Sequence, residues 1–525
     1  MNPKHLRLPS QNWPPVRRAH VLCERDKLFR LFAKWDSVGS LRLLDADHSE
    51  TKYRCALFAV YQNHEKDRQI LNPIPENGRT MNISDSTLSL SHGSLLTGLF
   101  LDDNQDLVFG ADDLEDFYHC FIVTAEHAHR NHIHGVFDAE RFVGWNCWGE
   151  SLKGKKVVGC FSTLAMGTGF AVEVAQHVHS DLLKRKGCLN DDQWAQYRRP
   201  LPRGDVLQLL CIDDYAVLQK VPRGLGLRKT SGVDAVHRED LRLLNRANKA
   251  YSNVGLRSSE KKAVRDSFHT TILGGELDGR RGLVNAPRLR VLVLCKITLR
   301  LIQIGFCTKP LLETIVGCWI FILMFRMPLL CVLSDVFHEG EDIKRGEIFK
   351  LSTGCIQNLL LVVIFAPYAF TNLRAKPLPT VFCTDASLSG GGVCSADISK
   401  EASLELCRSS EQRGFYTRVN GSTLGTHEAL HGHVIAGENY SGIPKSLTEG
   451  FILGFLRSLR GSGHLSAAHQ SLGLRVHPGF EIRDGVEGDI TNPATILALV
   501  GLIGRRVVNQ MFPYCHGLYH FWNLT

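Results

Sequence analysis

The sequence predicts an α+β chain of several domains, and three observations carry that expectation. Leu209-Leu210-Cys211-Ile212-Asp213-Asp214-Tyr215-Ala216-Val217-Leu218 sets two adjacent carboxylates between short apolar runs, the pattern of a β-hairpin with acids at its tip. Between 291 and 375, two apolar runs, Ile315 to Leu333 and Leu359 to Ala366, read as a buried helical pair. Pro377-Leu378-Pro379 then marks a linker, after which a strand-like run and a glycine turn begin a further α/β unit. A length of 525 residues suits two to four domains with sizeable cores.

The double aspartate is the chemical centre of the chain. Two neighbouring carboxylates repel and raise each other's pKa, so a protein that keeps them ionised usually supplies a divalent cation, with Mg²⁺ and phosphates as natural occupants. Asp is also a common turn residue, so a plain β-turn explains the string taken alone. A two-metal nucleotidyl transferase needs a third carboxylate on a neighbouring strand. Val108-Phe109-Gly110-Ala111-Asp112-Asp113-Leu114-Glu115-Asp116-Phe117-Tyr118 offers one.

With these two segments the chain resembles the reverse transcriptases of retroelements, whose fold is a right-hand polymerase of fingers, palm and thumb. Their first palm motif runs apolar-Asp-x-x-Asp-x-aromatic, which Asp113, Asp116 and Tyr118 match, with Asp112 departing where an apolar residue is usual. The resemblance implies that Asp113, Asp213 and Asp214 are catalytic metal ligands for two Mg²⁺ ions, and that Tyr118 lies under the incoming sugar. Leu164-Ala165-Met166-Gly167-Thr168-Gly169 with Gln176 resembles the second palm motif, Ala165 replacing the usual Pro. There Gly167 is expected to let backbone approach the template-primer, and Gln176 to face the nucleotide. Ser258-Ser259-Glu260-Lys261-Lys262 and Ile272-Leu273-Gly274-Gly275-Glu276-Leu277-Asp278-Gly279 resemble the next two motifs in order. Lys262, or Lys261 if the register slips, is the lysine implied beside the departing pyrophosphate. Upstream, the segment from Leu57 to Asn77 resembles the fingers hairpin, and Lys66 and Arg68 are the cations implied to hold the triphosphate.

In chain order the expected units are an N-terminal extension at 1–50, fingers and palm at 51–290, and a helical thumb or connection at 291–375. An RNase H-like remnant follows at 376–435, and a partial Rossmann-like, methyltransferase-like segment at 436–525. The formal net charge of +8 suits a polyanion partner without demanding one. The cations crowd Arg223 to Arg290, including Arg242, Arg246, Lys249, Arg257 and Arg281, which fits a border of a nucleic-acid cleft or an ordinary solvated surface. Sixteen scattered cysteines without a Cys-x-x-Cys pair, and no signal peptide, fit a reduced intracellular protein of nucleus or cytoplasm. Arg326 and Pro328 interrupt the long apolar run, so no membrane span is expected.

After the linker, Thr384-Asp385-Ala386-Ser387-Leu388-Ser389-Gly390-Gly391-Gly392 resembles the opening hairpin of an RNase H-like domain. That resemblance makes Asp385 a metal ligand, with Glu428 as a second acid, and the absence of a later Asp pair implies an inactive remnant. Farther on, Gly461, Gly463 and Glu481 resemble the cofactor loop and ribose-binding acid of S-adenosylmethionine-dependent methyltransferases. Too few residues follow to complete the sheet, so binding of S-adenosylmethionine is not expected. The reaction implied overall is RNA-directed DNA synthesis, with a template-primer and deoxynucleoside triphosphates as partners. The alternatives are a decayed, non-catalytic nucleic-acid binder and a methyltransferase-like protein.

Overall fold

A computed structural model describes residues 7–15, 23–61, 64, 67–81, 89–224, 238–344, 346–386, 391–408 and 475–476. Lys66, Arg228, Lys229, Glu428, Gly461, Gly463 and Glu481 lie outside the described residues.

In chain order the chain forms α1 (Arg25–Ser37), β1 (Leu41–Asp45), β2 (Ala56–Tyr61), β3 (Asp67–Asn72), α2 (Ile74–Asn77), β4 (Gln105–Asp113), α3 (Ala125–Arg130), β5 (His132–Asp138) and β6 (Lys156–Phe161). Then come α4 (Ala171–Arg185), β7 (Val206–Cys211), β8 (Asp214–Pro222), α5 (Glu239–Asn253), β9 (Val264–Ser267), β10 (His269–Ile272), β11 (Gly275–Asp278) and β12 (Leu283–Asn285). The helical part holds α6 (Arg288–Ile304), β13 (Phe306–Thr308), α7 (Lys309–Leu323), β14 (Ile348–Lys350), α8 (Thr353–Phe365) and β15 (Phe370–Asn372). The last described elements are β16 (Thr380–Ala386), β17 (Gly391–Asp397), α9 (Lys400–Arg408) and β18 (Arg475–Val476).

The central sheet runs β7-β8-β4-β9 and is antiparallel throughout. Successive side chains on a strand point to opposite faces, and here both faces are covered. On β8, Tyr215 and Val217 join a core with Leu243, Leu244 and Tyr251 of α5 and Ala175 and Leu183 of α4. Ala216 and Leu218 face the other way, into a core shared with Trp319, Leu323 and Leu359 of the helical part. Gly110 on β4 makes the first layer possible, because a Cβ there would come within 2.2 Å of the Leu244 side chain. The helices at 291–375 therefore do not stand apart from the sheet; one hydrophobic core runs through both.

A second sheet, β1-β6-β5, carries α1 on one face, with Leu28, Phe32 and Trp35 packed on Leu43, Phe137, Val157 and Phe161. The reading of residues 1–50 as an extension thus differs from the structure, which builds α1 and β1 into this sheet. The apolar spacing Leu28, Phe32, Trp35 is the helical stripe that drives it. β2 and β3 form a separate hairpin, and β10-β11-β12-β15 a four-stranded sheet in which the strand after α8 returns to β12.

Lys309–Leu333 is long and apolar enough, by length and composition, to cross a membrane, the one such helix among the described residues. It breaks at Arg326 (φ −153°, ψ 66°), and Trp319, Leu323, Phe325 and Leu333 along it are fully buried. β16 and β17 pair as a hairpin with Asp385 opposite Gly392. α9 returns to the body of the chain, where Leu201 N–H donates to the Arg408 carbonyl at 3.0 Å.

Candidate active site

The two acidic segments, about a hundred residues apart, meet at one corner of the central sheet. β7 and β8 are joined by a two-residue turn, Ile212-Asp213, with Cys211 opposite Asp214. β4 lies on the far side of β8, and its last residue, Asp113, is the partner of Asp214. The turn is pinned to β4 by Leu114 N–H donating to the Asp213 carbonyl at 3.0 Å.

The pairing register sets Asp113 and Asp214 side by side on neighbouring strands. Burial first, and then the charges of Asp213 and Asp113, push the Asp214 carboxyl up to about 7. Asp213 is raised as well, chiefly by burial and then by Asp113, while Lys262 and Arg68 oppose the shift. The Lys262 ammonium donates to Asp113 Oδ2 at 2.6 Å, and this bond holds the lysine above its ordinary pKa. So Lys262, the lysine named by the sequence pattern, stands directly against the acid group. Tyr118 sits in the short 3₁₀ turn Phe117–Cys120, and burial and the Asp213 charge push its hydroxyl up to about 12.

Three carboxylates are hard oxygen donors of the kind Mg²⁺ takes, and a close, mutually repelling pair is what a divalent cation relieves. Among the described residues, however, no group of three or more His, Cys, Asp or Glu side chains has the spacing of a metal cage. Of Asp385 the structure gives the backbone pairing only.

Other residues named by the sequence have neighbours of their own within the chain. Gly167 does permit a close approach, but of chain to chain: a Cβ there would lie 2.6 Å from the Leu71 carbonyl and 2.8 Å from Pro73. Asn77 closes this joint, its amide donating to the Gly167 carbonyl at 2.8 Å and accepting from Gly169 N–H at 2.9 Å. Gln176 is fully buried, with Oε1 accepting from Ile212 N–H at 2.7 Å and Nε2 donating to the Leu210 carbonyl at 3.2 Å. The amide is held between α4 and the β7–β8 turn, since Ala175 and Leu183 of α4 share a core with Leu210, Tyr215 and Val217 of the sheet. Arg68 lies on the exposed hairpin β2–β3, its charge felt at Asp213.

Asp112, the departure from the apolar pattern, is a buried structural acid. Its carboxylate accepts from Arg265 at 2.6 Å and from Asn248 at 3.1 Å, and Asn248 in turn accepts from Ser258 at 2.7 Å. The basic stretch is likewise partly committed to neighbours: Arg242 pairs with Glu239, Arg288 with Glu276, and Arg223 donates to the Asp103 carbonyl. Two residues that sequence reasoning missed complete the corner. His179 on α4 meets the Ile212 carbonyl through Nδ1 at 2.7 Å and the Tyr251 hydroxyl through Nε2 at 2.8 Å. The signal available was spacing, since Gln176 and His179 are three apart and share a helix face.

No protein-family model and no curated protein matches the sequence. Solved structures do. The foamy viral protease-reverse transcriptase dRH in complex with double-stranded DNA matches with a TM-score of 0.47 and 15% identity, over 75% of this chain and 58% of that one. The foamy viral protease-reverse transcriptase in complex with RNA/DNA hybrid matches at 0.46 and 14%, over 75% and 44%. The same protein with double-stranded DNA matches at 0.45 and 15%, over 75% and 69%. The chain thus spans 58% and 44% of the length of the first two structures it is similar to.

Proposed function

We propose that the chain is a template-directed DNA polymerase of the reverse-transcriptase kind, joining a primer 3′-hydroxyl to the α-phosphate of a deoxynucleoside triphosphate. The observation that carries this reading is the meeting of Asp113 with the Asp213-Asp214 turn at one sheet corner, in the register Asp113 opposite Asp214. Three acids meet where only one of them, Asp113, has an ion-pair partner in Lys262, and the repulsion that remains between the others is what a divalent cation relieves. Asp113, Asp213 and Asp214 are the residues that would hold Mg²⁺, which supplies charge neutralisation at the reacting phosphate when bound. Lys262, on a side chain mostly open to solvent, is placed to exchange its hold on Asp113 for the anionic oxygens of a departing pyrophosphate. Tyr118, beside Asp213, offers an aromatic wall to the sugar of the incoming nucleotide. Arg68 on its hairpin is the cation available for the triphosphate.

One observation favours a second reading, a nucleic-acid binder without catalysis. Lys262 already neutralises Asp113, and the three acids lack the spacing of a metal cage. Primer extension with Mg²⁺ or Mn²⁺ on a DNA- or RNA-templated primer separates the two. Extension by the wild type, lost in Asp213→Ala, is the outcome expected; duplex binding with no extension by the wild type assigns the second reading instead.

A further inference from the structure

Ile212 sits at φ 58°, in the left-handed region of the backbone. A side chain branched at Cβ is strained there, and glycine or asparagine is the usual occupant. Yet both backbone polar groups of Ile212 are gripped, its N–H by Gln176 Oε1 and its carbonyl by His179 Nδ1, each at 2.7 Å. Gln176 and His179 are both fully buried on one face of α4. A carbonyl can only accept, so His179 carries its proton on Nδ1 and accepts from the Tyr251 hydroxyl on Nε2. Tyr251 is itself buried on α5. Two helices therefore converge, through three side chains, on a strained residue directly before the Asp213-Asp214 pair.

We propose that Gln176 and His179 form a clamp that holds Ile212 left-handed and thereby fixes where Asp213 and Asp214 present their carboxylates. Both are positioning residues, and the proposal rests on the polymerase reading for its consequence in turnover. The turn has two residues, so Asp213 follows Ile212 directly, and a return of Ile212 to negative φ rotates the peptide that carries Asp213. A displacement of about 1 Å in a reacting group can cost on the order of a hundredfold in rate. Buried polar side chains that only satisfied one another would need no strained partner; here the strain and the two grips fall on the same residue.

Two histidine replacements divide the clamp. In His179→Asn the amide nitrogen occupies the place of Nδ1 and can still donate to the Ile212 carbonyl. In His179→Gln the longer amide can still accept from Tyr251 but no longer suits Ile212. With the full chain in primer extension, His179→Gln is expected to lower kcat about tenfold or more with the nucleotide KM within about threefold. His179→Asn is expected to recover most of that loss. In an Ile212→Gly background, where the left-handed turn is unstrained, His179→Gln is expected to cost less than about threefold. Equal losses in the two histidine variants, or an undiminished loss in the glycine background, overturn the clamp while leaving the polymerase reading in place. Hydrogen exchange at the Ile212 amide decides the clamp apart from activity: about tenfold faster exchange is expected in His179→Gln, with α5 amides unchanged. If the wild type extends no primer, the polymerase reading falls, and unaltered Ile212 exchange in His179→Gln and Gln176→Ala then overturns the clamp as well.

Discussion

The hairpin β7–β8 lies between two packed layers, with Tyr215 and Val217 in one and Ala216 and Leu218 in the other. The hairpin β2–β3 is buried at its base, by Ala56, Leu57 and Leu71, while Val60 is 46% and Tyr61 66% exposed farther along. Both are antiparallel, and both bring charge to the same corner, acids from the first and Arg68 from the second. The difference lies in how far the core reaches along each hairpin. In β7–β8 the turn is gripped by α4 and pinned to β4; in β2–β3 the Trp35 indole donates to Gln69 Oε1 at 2.9 Å, while Val60 and Tyr61 beyond it are exposed. Fixed ligands belong on the first kind of hairpin, and a cation that must reach out and withdraw belongs on the second.

The sharpest way to break this comparison is to remove an acid from the packed hairpin. Asp213→Ala or Asp113→Ala is expected to lower Mg²⁺-dependent primer extension more than about a hundredfold, since several kcal/mol of transition-state stabilisation is at stake and each 1.4 kcal/mol is about tenfold. Duplex affinity, measured in parallel by fluorescence anisotropy, should stay within about threefold. Activity close to wild type in either variant contradicts the assignment of the corner.

Next in size is the buried acid behind it. Asp112→Ala removes the charged partner of Arg265, which is only about a third exposed and keeps just the Ala111 and Val264 carbonyls, and one of the two partners of Asn248, so a destabilisation of about 2–3 kcal/mol is expected. Thermal unfolding should show it as a fall in Tm of several degrees, and Asp112→Asn, which can keep the Asn248 contact, should fall less. On the open hairpin, Arg68→Ala should raise the nucleotide KM about tenfold with Tm unchanged, because an exposed strand residue contributes little to stability. A drop in Tm comparable to that of Asp112→Ala would mean that the open hairpin is as firmly held as the packed one.

The smallest effect is a pH dependence. The folded carboxyl of Asp214 titrates near 7 against an ordinary 3.8, so between those values the folded chain keeps a proton that the unfolded chain has released. The stabilisation is present at low pH and is lost as pH rises through about 7. Metal-free protein is therefore expected to lose Tm between about pH 4 and 7, and Asp214→Asn to flatten that slope; an unchanged slope in the variant places the titration elsewhere.

What could be read from the sequence was the local part of this arrangement. The apolar runs flanking Asp213-Asp214 form the hairpin they suggest, and the spacing of Asp113 and Tyr118 puts both beside it. What could not be read was which distant segment each residue meets. Gly167 looks like a glycine made for a ligand, but its neighbour is the chain near Leu71. That Gln176 is buried against the Ile212 turn was likewise hidden, because motif spacing says nothing about how α4 is rotated on the sheet. Asp112 appeared as a departure because its partner, Arg265, lies 153 residues downstream. The left-handed Ile212 had no signal at all, since isoleucine is among the last residues expected at such a turn. The place of α1 and β1 against β5 and β6 is equally hidden, because a helix stripe shows that a face is buried without showing against what.

The shared core of sheet and helices has a consequence for how the molecule is made. β12 is completed by β15, from Leu283 pairing with Asn372 to Asn285 pairing with Phe370, and Leu101 N–H donates to the Leu373 carbonyl at 2.8 Å. During synthesis the strands around Phe109 and Leu218 emerge long before the helices that cover one of their faces. The nascent chain thus carries an uncovered apolar sheet surface until residues near 373 leave the ribosome, a window in which such surfaces invite aggregation. Contacts of this sequence separation also slow folding. Ribosome-bound chains halted before α7 should accordingly recruit chaperones, and chains released after β15 should not.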